Sequence, residues 1–348
     1  MKKIVVILLV ISGLLIDMST YSQTNRGRVE YKRNLSESYK VSDGAMLNMT
    51  CFGDIMVVEW ERNEILFSVE ITAWGDNDKF AKNYAHSVIT DFSNNNNHVK
   101  ANISISEIRD NYQKGLEVKT LVKVPADVYM NLTAKYGNIQ ANTVKNDFVA
   151  EVMYGNLSFN DLQGKRNELS VKYGDLSVNK ASTLILNLKY AQCLVQNVGN
   201  VTGQSAYNKL NFSNVENLNF HSRYDQMTLG SVQHMEVSAA YTNIQIAQLI
   251  SSFEAPSFAY CNLSVDQLSV RFDLIKIMAQ YAKIKLPLTN NHTYTADVAV
   301  KYGDIYFPCG KSISDENDRY TKILHCVSGA NPKARIYIRN SYSDVKGQ

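Results

Sequence analysis

AKYGNIQA (residues 134–141), VMYGNLSF (152–159), VKYGDLSV (171–178) and LKYAQCLV (188–195) are four copies of one short unit. SAYNKLNF (205–212), SRYDQMTL (222–229), AAYTNIQI (239–246), FAYCNLSV (258–265), AQYAKIKL (279–286) and VKYGDIYF (300–307) continue it. The shared slot holds Tyr136, Tyr154, Tyr173, Tyr190, Tyr207, Tyr224, Tyr241, Tyr260, Tyr281 and Tyr302, at intervals of 17 to 21 residues. Ten of the 21 tyrosines therefore occupy one structural position, and a fixed period of this length marks stacked repeats. An earlier copy, CFGDIMVV (51–58), puts Phe52 in the slot, and a late one, NSYSDVKG (340–347), puts Tyr342 there after an insertion at 308–335.

Within a unit the apolar residues alternate. Leu169, Val171 and Tyr173 share one parity, which Leu176 and Val178 resume after a step. Met235, Val237, Ala239 and Tyr241 behave alike before Ile244 and Ile246, with polar residues between. This period of two is that of strands with one buried face. The Gly, Asn and Asp residues after several tyrosines favour a bend there. A hairpin meander would need glycine or asparagine at the first of those positions. Ala191, Asp225, Thr242, Cys261 and Ala282 stand there instead, which favours parallel stacking. The predicted fold is all-β: a single-domain parallel β-helix (β-solenoid) of about 10–11 coils of 17–21 residues, roughly 50 Å long at ~4.8 Å per rung. Core parity predicts that the tyrosines form an internal ladder at the corner; the alternative is an exposed aromatic platform for sugars.

The expected organisation is 1–22 as a signal peptide, 23–130 as N-terminal strands with a helix opening the solenoid, and 131–348 as the repeats. The leader reading rests on Lys2 and Lys3, the apolar run Ile4 to Ile16, and Thr20 and Ser22 before Gln23. That run is short for a membrane span, so the mature form is expected to be exported to the periplasm or cell surface without spanning the membrane. The helix is expected over 76–92, capped by Asp76 or Asp78, with Phe80, Tyr84, Val88 and Phe92 on one stripe and a role in covering the solenoid end. Strands are expected at Ile55 to Trp60, Ile65 to Trp74, Val99 to Ile105 and Leu116 to Val124.

A net charge of +3, without basic runs, gives no sign of a nucleic-acid partner. Of the five cysteines, Cys309 and Cys326 flank one loop-like segment and are candidates for a disulfide, whereas Cys193 falls on an apolar position. The six histidines form no metal-ligand pair, and no nucleotide, dinucleotide or hydrolase motif occurs; neither cofactor nor metal is expected. The second position after each tyrosine reads Asn138, Asn156, Asp175, Gln192, Lys209, Gln226, Asn243, Asn262, Lys283 and Asp304. That row suits backbone satisfaction at a corner better than the paired carboxylates of a polysaccharide lyase or glycosidase.

The signal ending at Tyr21-Ser22-Gln23-Thr24, Phe52-Gly53-Asp54-Ile55 leading to Trp60, and Val122-Lys123-Val124-Pro125 before the first Tyr-Gly-Asn-Ile unit together resemble the putative-adhesin β-solenoid family of exported Bacteroidetes proteins. The resemblance covers nearly the whole mature chain and implies a parallel β-helix of the cell envelope with no catalytic residues. The regular tyrosines and the insertion at 308–335 depart from that pattern. The expected function is a non-enzymatic adhesin or binding module with an envelope, glycan or protein partner; the alternative is a structural or assembly scaffold. The sequence leaves ligand and oligomeric state open.

Overall fold

The computed structural model describes residues 29–106, 115–309, 311–317 and 319–347. The leader at 1–22 lies outside the described residues. The chain is all-β apart from one helix among the described residues, and its strands belong to a single mixed sheet that is not closed.

The repeats pair in parallel and in register with the repeats before and after them. Phe148–Met153 lies between Tyr129–Lys135 and the first part of Asn167–Ala206, with Ala150 opposite both Leu132 and Leu169. Leu157–Leu162 lies likewise between Ile139–Val144 and the segment starting at Leu176. The two strands flanking a tyrosine pair with different partners rather than with each other, so Tyr-Gly-Asn is a corner and not a hairpin turn. The alternation places Leu169, Val171, Leu176 and Val178 in the core, as it does Met235, Val237, Ala239, Ile244 and Ile246.

The tyrosines do not follow that parity. Each of the ten, and Tyr342, has a φ between +53° and +63°, the left-handed region. Period-two alternation holds only while the backbone is extended. A left-handed residue turns its side chain out of the pleat, so the expected internal ladder is an external one. The residue after the tyrosine takes the inward position, as Ala191, Asn208, Asp225, Thr242 and Cys261 do.

The corner glycines also differ from expectation. Gly137, Gly155, Gly174 and Gly303 are absent from the positive-φ residues; the tyrosine before each makes the left-handed bend. Glycine is needed there for close approach: a Cβ on Gly155 would stand 1.8 Å from the Gly137 carbonyl oxygen, and one on Gly174 1.8 Å from that of Gly155.

The repeats are not stacked in sequence order at the C-terminal end. Ala334–Ser341 lies between Leu274–Gln280 and Tyr294–Lys301, parallel to both, with Arg339 opposite Met278 on one side and Ala299 on the other. The insertion at 308–335 lets the chain return. It contributes Lys311–Asn317 and Thr321–Ser328, which are antiparallel to each other, the latter also antiparallel to Tyr294–Lys301. Cys309 and Cys326 are joined by a disulfide in this hairpin region.

The N-terminal end is built similarly. Met46–Phe52 pairs with Tyr129–Lys135 on one side and with His98–Ile105 on the other. Antiparallel strands then replace the parallel ones: Val88–Asn95 on His98–Ile105, Glu64–Gly75 on Gly115–Val124, and Val29–Lys40 on Glu64–Gly75. The helix spans Asp78–His86 only and packs on Val29–Lys40 and Glu64–Gly75. Its cap is Asn77, whose Oδ1 accepts from the Phe80 N–H at 3.1 Å, rather than Asp76 or Asp78. It buries Ala81 and Ala85, while Val88 and Phe92 of the expected stripe belong to the next strand. The β-branched run Val88, Ile89, Thr90 favours extension over a further helical turn.

Gly155→Ala is expected to cost about 1–3 kcal/mol, because the methyl group forces adjacent repeats apart at a packed corner. The chemical denaturation midpoint measures this; an unchanged midpoint would contradict the close approach.

Candidate binding face

The left-handed corner sets all the tyrosine rings on one outer edge. They remain 40% to 61% exposed, and each ring stacks on the next. From Tyr136 to Tyr281 successive centroids lie 4.7 to 5.2 Å apart with interplanar angles of 10° or less. Tyr342 then stacks between Tyr281 and Tyr302, at 4.5 and 4.9 Å. Phe52 tilts against Tyr136 at one end, and Tyr320 against Tyr302 at the other. The result is a continuous ridge of eleven tyrosines. Neighbours cover both faces of every inner ring, so a sugar cannot lie flat on one. The ridge presents ring edges and phenol hydroxyls, one per repeat.

Backbone hydrogen bonds hold the ridge. The N–H of Tyr136 donates to the Met153 carbonyl at 2.9 Å, that of Tyr207 to Arg223 at 3.1 Å, that of Tyr260 to Gln280 at 2.9 Å and that of Tyr342 to Lys301 at 2.7 Å. Side chains behind the corner fasten it further. Asp54 Oδ1 accepts from the Asn138 N–H at 2.8 Å, Asn138 Oδ1 from the Asn156 N–H at 2.9 Å, and Asn156 Oδ1 from the Asp175 N–H at 2.8 Å. The amide-rich row thus serves corner backbone groups.

In the middle of the molecule this task passes to the inward position. Asn208 Oδ1 accepts from the Ala191 N–H at 2.8 Å, and Asp225 Oδ1 from the N–H and Nδ2 of Asn208 at 2.7 and 3.0 Å. The other oxygen of the buried Asp225 accepts from Ser205 Oγ at 2.5 Å, Ser222 Oγ at 2.6 Å and the Arg223 N–H at 3.1 Å. Sequence reasoning passed over this cluster. Its signal was polar side chains at Asn208, Asp225 and Thr242, where most other repeats have glycine or alanine.

The two flanks of the ridge are shallow grooves. One, of about 840 Å³, follows the tyrosines and includes Gln226, Asn243, Asn262 and Lys283. The other, of about 550 Å³, precedes them and includes Lys189, Gln204, His221 and Arg223. At Tyr281, desolvation first, and then the neighbouring Tyr342 and Tyr260, raise the phenol above its ordinary value. Burial pushes the thiols of Cys51 and Cys193 up to about 12, which keeps them protonated and unreactive at neutral pH. His325 lies 3.4 Å from Asp297, which also holds Arg339 at 2.9 Å, while its neighbour Cys326 is in the disulfide. Among the described residues no group of three or more His, Cys, Asp or Glu side chains is placed to hold a metal ion.

The chain is similar to a putative adhesin from Bacteroides fragilis, at 12% identity, covering 71% of this chain and 97% of that one with a TM-score of 0.35. It is also similar to a putative lipid binding protein from Parabacteroides distasonis, at 12% identity, covering 71% and 94% with a TM-score of 0.37. A putative cell adhesion protein from Clostridium sporogenes is similar at 8% identity, covering 91% and 98% with a TM-score of 0.20. No family model and no curated protein matches the chain.

Two stability experiments follow from the geometry. Asp225→Ala strands the buried Ser205 hydroxyl and the Asn208 N–H and is expected to cost about 3 kcal/mol, whereas the exposed Asp175→Ala stays within about 0.5 kcal/mol. Equal denaturation midpoints for the two variants would contradict the role of Asp225. At the ridge, Tyr207→Asn loses two stacking contacts but tolerates the left-handed backbone, and is expected to cost about 1–2 kcal/mol. Tyr207→Val adds a β-branched side chain at that φ and is expected to unfold at lower denaturant than Tyr207→Asn. The reverse order would contradict the corner geometry.

Proposed function

We propose that this chain is an exported, non-enzymatic β-solenoid of the cell envelope that acts as an adhesion or binding module, with the tyrosine ridge as its binding face. In-register parallel pairing from repeat to repeat supports the solenoid. The positively charged start and apolar run of the first 16 residues support export. Among the described residues no helix is long and apolar enough to cross a membrane.

The observation that carries the binding reading is the exposure of the ridge. Eleven tyrosines keep two-fifths or more of their surface open at a backbone angle that asparagine or glycine adopts at lower cost. Stability alone asks for the stacked ring faces and has no use for a file of hydroxyls. The stacking itself favours the alternative, a structural scaffold in which the rings serve only one another.

The triple variant Tyr190→Phe, Tyr207→Phe, Tyr224→Phe separates the two, because it keeps the stack and removes three adjacent hydroxyls. Adherence of the full chain to immobilised mucin and to a panel of neutral and acidic polysaccharides is expected to fall about tenfold, the worth of one to two hydrogen bonds, at an unchanged denaturation midpoint. Adherence equal to that of the parent protein would overturn the ridge as binding face. A parent protein that adheres to nothing in the panel would overturn the module and leave the scaffold.

A further inference from the structure

The two sides of the ridge differ in charge. The residue just before each tyrosine points outward along one flank, and this file contains Lys135, Lys172, Lys189, Arg223 and Lys301 without a single carboxylate. The opposite flank, two positions after the slot, is mixed, with Asp54, Asp175, Asp304 and Asp344 beside Lys209 and Lys283. On the basic side Glu151, Glu168, Glu236, Glu254 and Asp297 lie two or more strand positions farther from the ridge, and Asp297 is held by Arg339. Glu168 is engaged by Arg166, and Glu236 accepts from Asn219.

None of the five basic side chains forms an ion pair among the described residues. Three of them extend along their own tyrosine: Lys172 Nζ is 5.8 Å from the Tyr173 ring centroid, Lys189 Nζ 5.5 Å from Tyr190, and Lys301 Nζ 5.3 Å from Tyr302. These three cations are thus held at the ridge itself. Lys172 and Lys189 sit on adjacent repeats, with Lys135 two repeats beyond one and Arg223 two beyond the other. Four positive charges therefore follow a line of about 24 Å at ~4.8 Å per rung. The groove at Lys189 and Arg223 carries neutral hydrogen-bonding groups beside them, from Asn187, Gln204 and Ser238.

We infer that this flank and the phenol hydroxyls together take a linear anionic polysaccharide, carboxylated or sulfated, lying along the repeat axis. The inference rests on the ridge being the binding face and names its ligand class. A linear chain so placed meets one phenol hydroxyl per rung, each a donor and an acceptor, while its acidic groups reach the basic file. The closed ring faces argue against the other polymers. Neutral sugars lose the open aromatic face on which they would lie, and single-stranded nucleic acid loses the platforms on which its bases would stack.

Full-length protein is tested for affinity to hyaluronate and chondroitin sulfate, with dextran as neutral control and polyglutamate as acidic peptide control. The variant Lys135→Gln, Lys172→Gln, Lys189→Gln, Arg223→Gln changes only side chains without ion pairs, and its denaturation midpoint reports that it folds. The parent is expected to bind at least one of the two acidic polysaccharides and not dextran, to weaken about tenfold between about 50 and 300 mM salt, and to lose at least tenfold in the variant. Equal binding to dextran, stronger binding to polyglutamate, or an unchanged variant would overturn the inference. So would failure to bind either acidic polysaccharide while adherence to mucin or a neutral polysaccharide persists, which leaves the ridge as binding face. Adherence to nothing would remove both.

Discussion

A left-handed corner occupied by an L-tyrosine in eleven repeats, with the Phe52 copy as the exception, is the constraint on which the rest of the structure depends. That one backbone angle turns the ring out of the strand pleat and brings the following residue inward. It also resets the alternation, so that residues five apart, such as Val171 and Leu176, both face the core. The inward residue must then be small or self-satisfied, which accounts for glycine in the first repeats and for the Ser205, Asn208, Ser222 and Asp225 cluster in the middle. Exposed ridge and buried network are two sides of the same turn.

A non-glycine residue at such an angle costs roughly 1–2 kcal/mol. Aromatic stacking of about 0.5–1.5 kcal/mol and an inter-repeat amide hydrogen bond of similar size offset it, and both depend on the neighbouring repeat. The corner is therefore favourable only in a stack. The C-terminal threading extends this dependence. Strands Leu274–Gln280 and Tyr294–Lys301 are separated by Ala334–Ser341, so the rung at Tyr302 has its parallel neighbour only after the chain has returned from the hairpin. At each end antiparallel strands take over from parallel ones, and the repeat does not simply stop at its last copy.

Much of the architecture was legible in the sequence because strand periodicity and repeat length are local signals. The all-β class, the apolar core positions and the strands expected at 55–60, 65–74, 99–105 and 116–124 were readable in this way, and the last four are found at Asp54–Glu59, Glu64–Gly75, His98–Ile105 and Gly115–Val124. The direction of the tyrosines was not, because parity counting assumes extended backbone and Gly137 or Asn138 was the more natural place for a left-handed residue. The helix was overextended for a related reason: Phe80, Tyr84, Val88 and Phe92 recur every four residues, but the last two lie past the β-branched junction where the chain re-enters the sheet. The insertion of Tyr342 between Tyr281 and Tyr302 left no trace in spacing, since parallel registers are blind to chain order. The tyrosine ridge was legible as a row and illegible as a surface.

Chemical nitration of tyrosines in the native protein, mapped residue by residue by mass spectrometry, tests the outward corner most directly. Tyr294, which is fully buried, serves as the internal standard for protection. The structure requires Tyr207, Tyr224 and Tyr241 to be modified while Tyr294 is spared. Ridge tyrosines as protected as Tyr294 would contradict the outward corner, and with it the ridge.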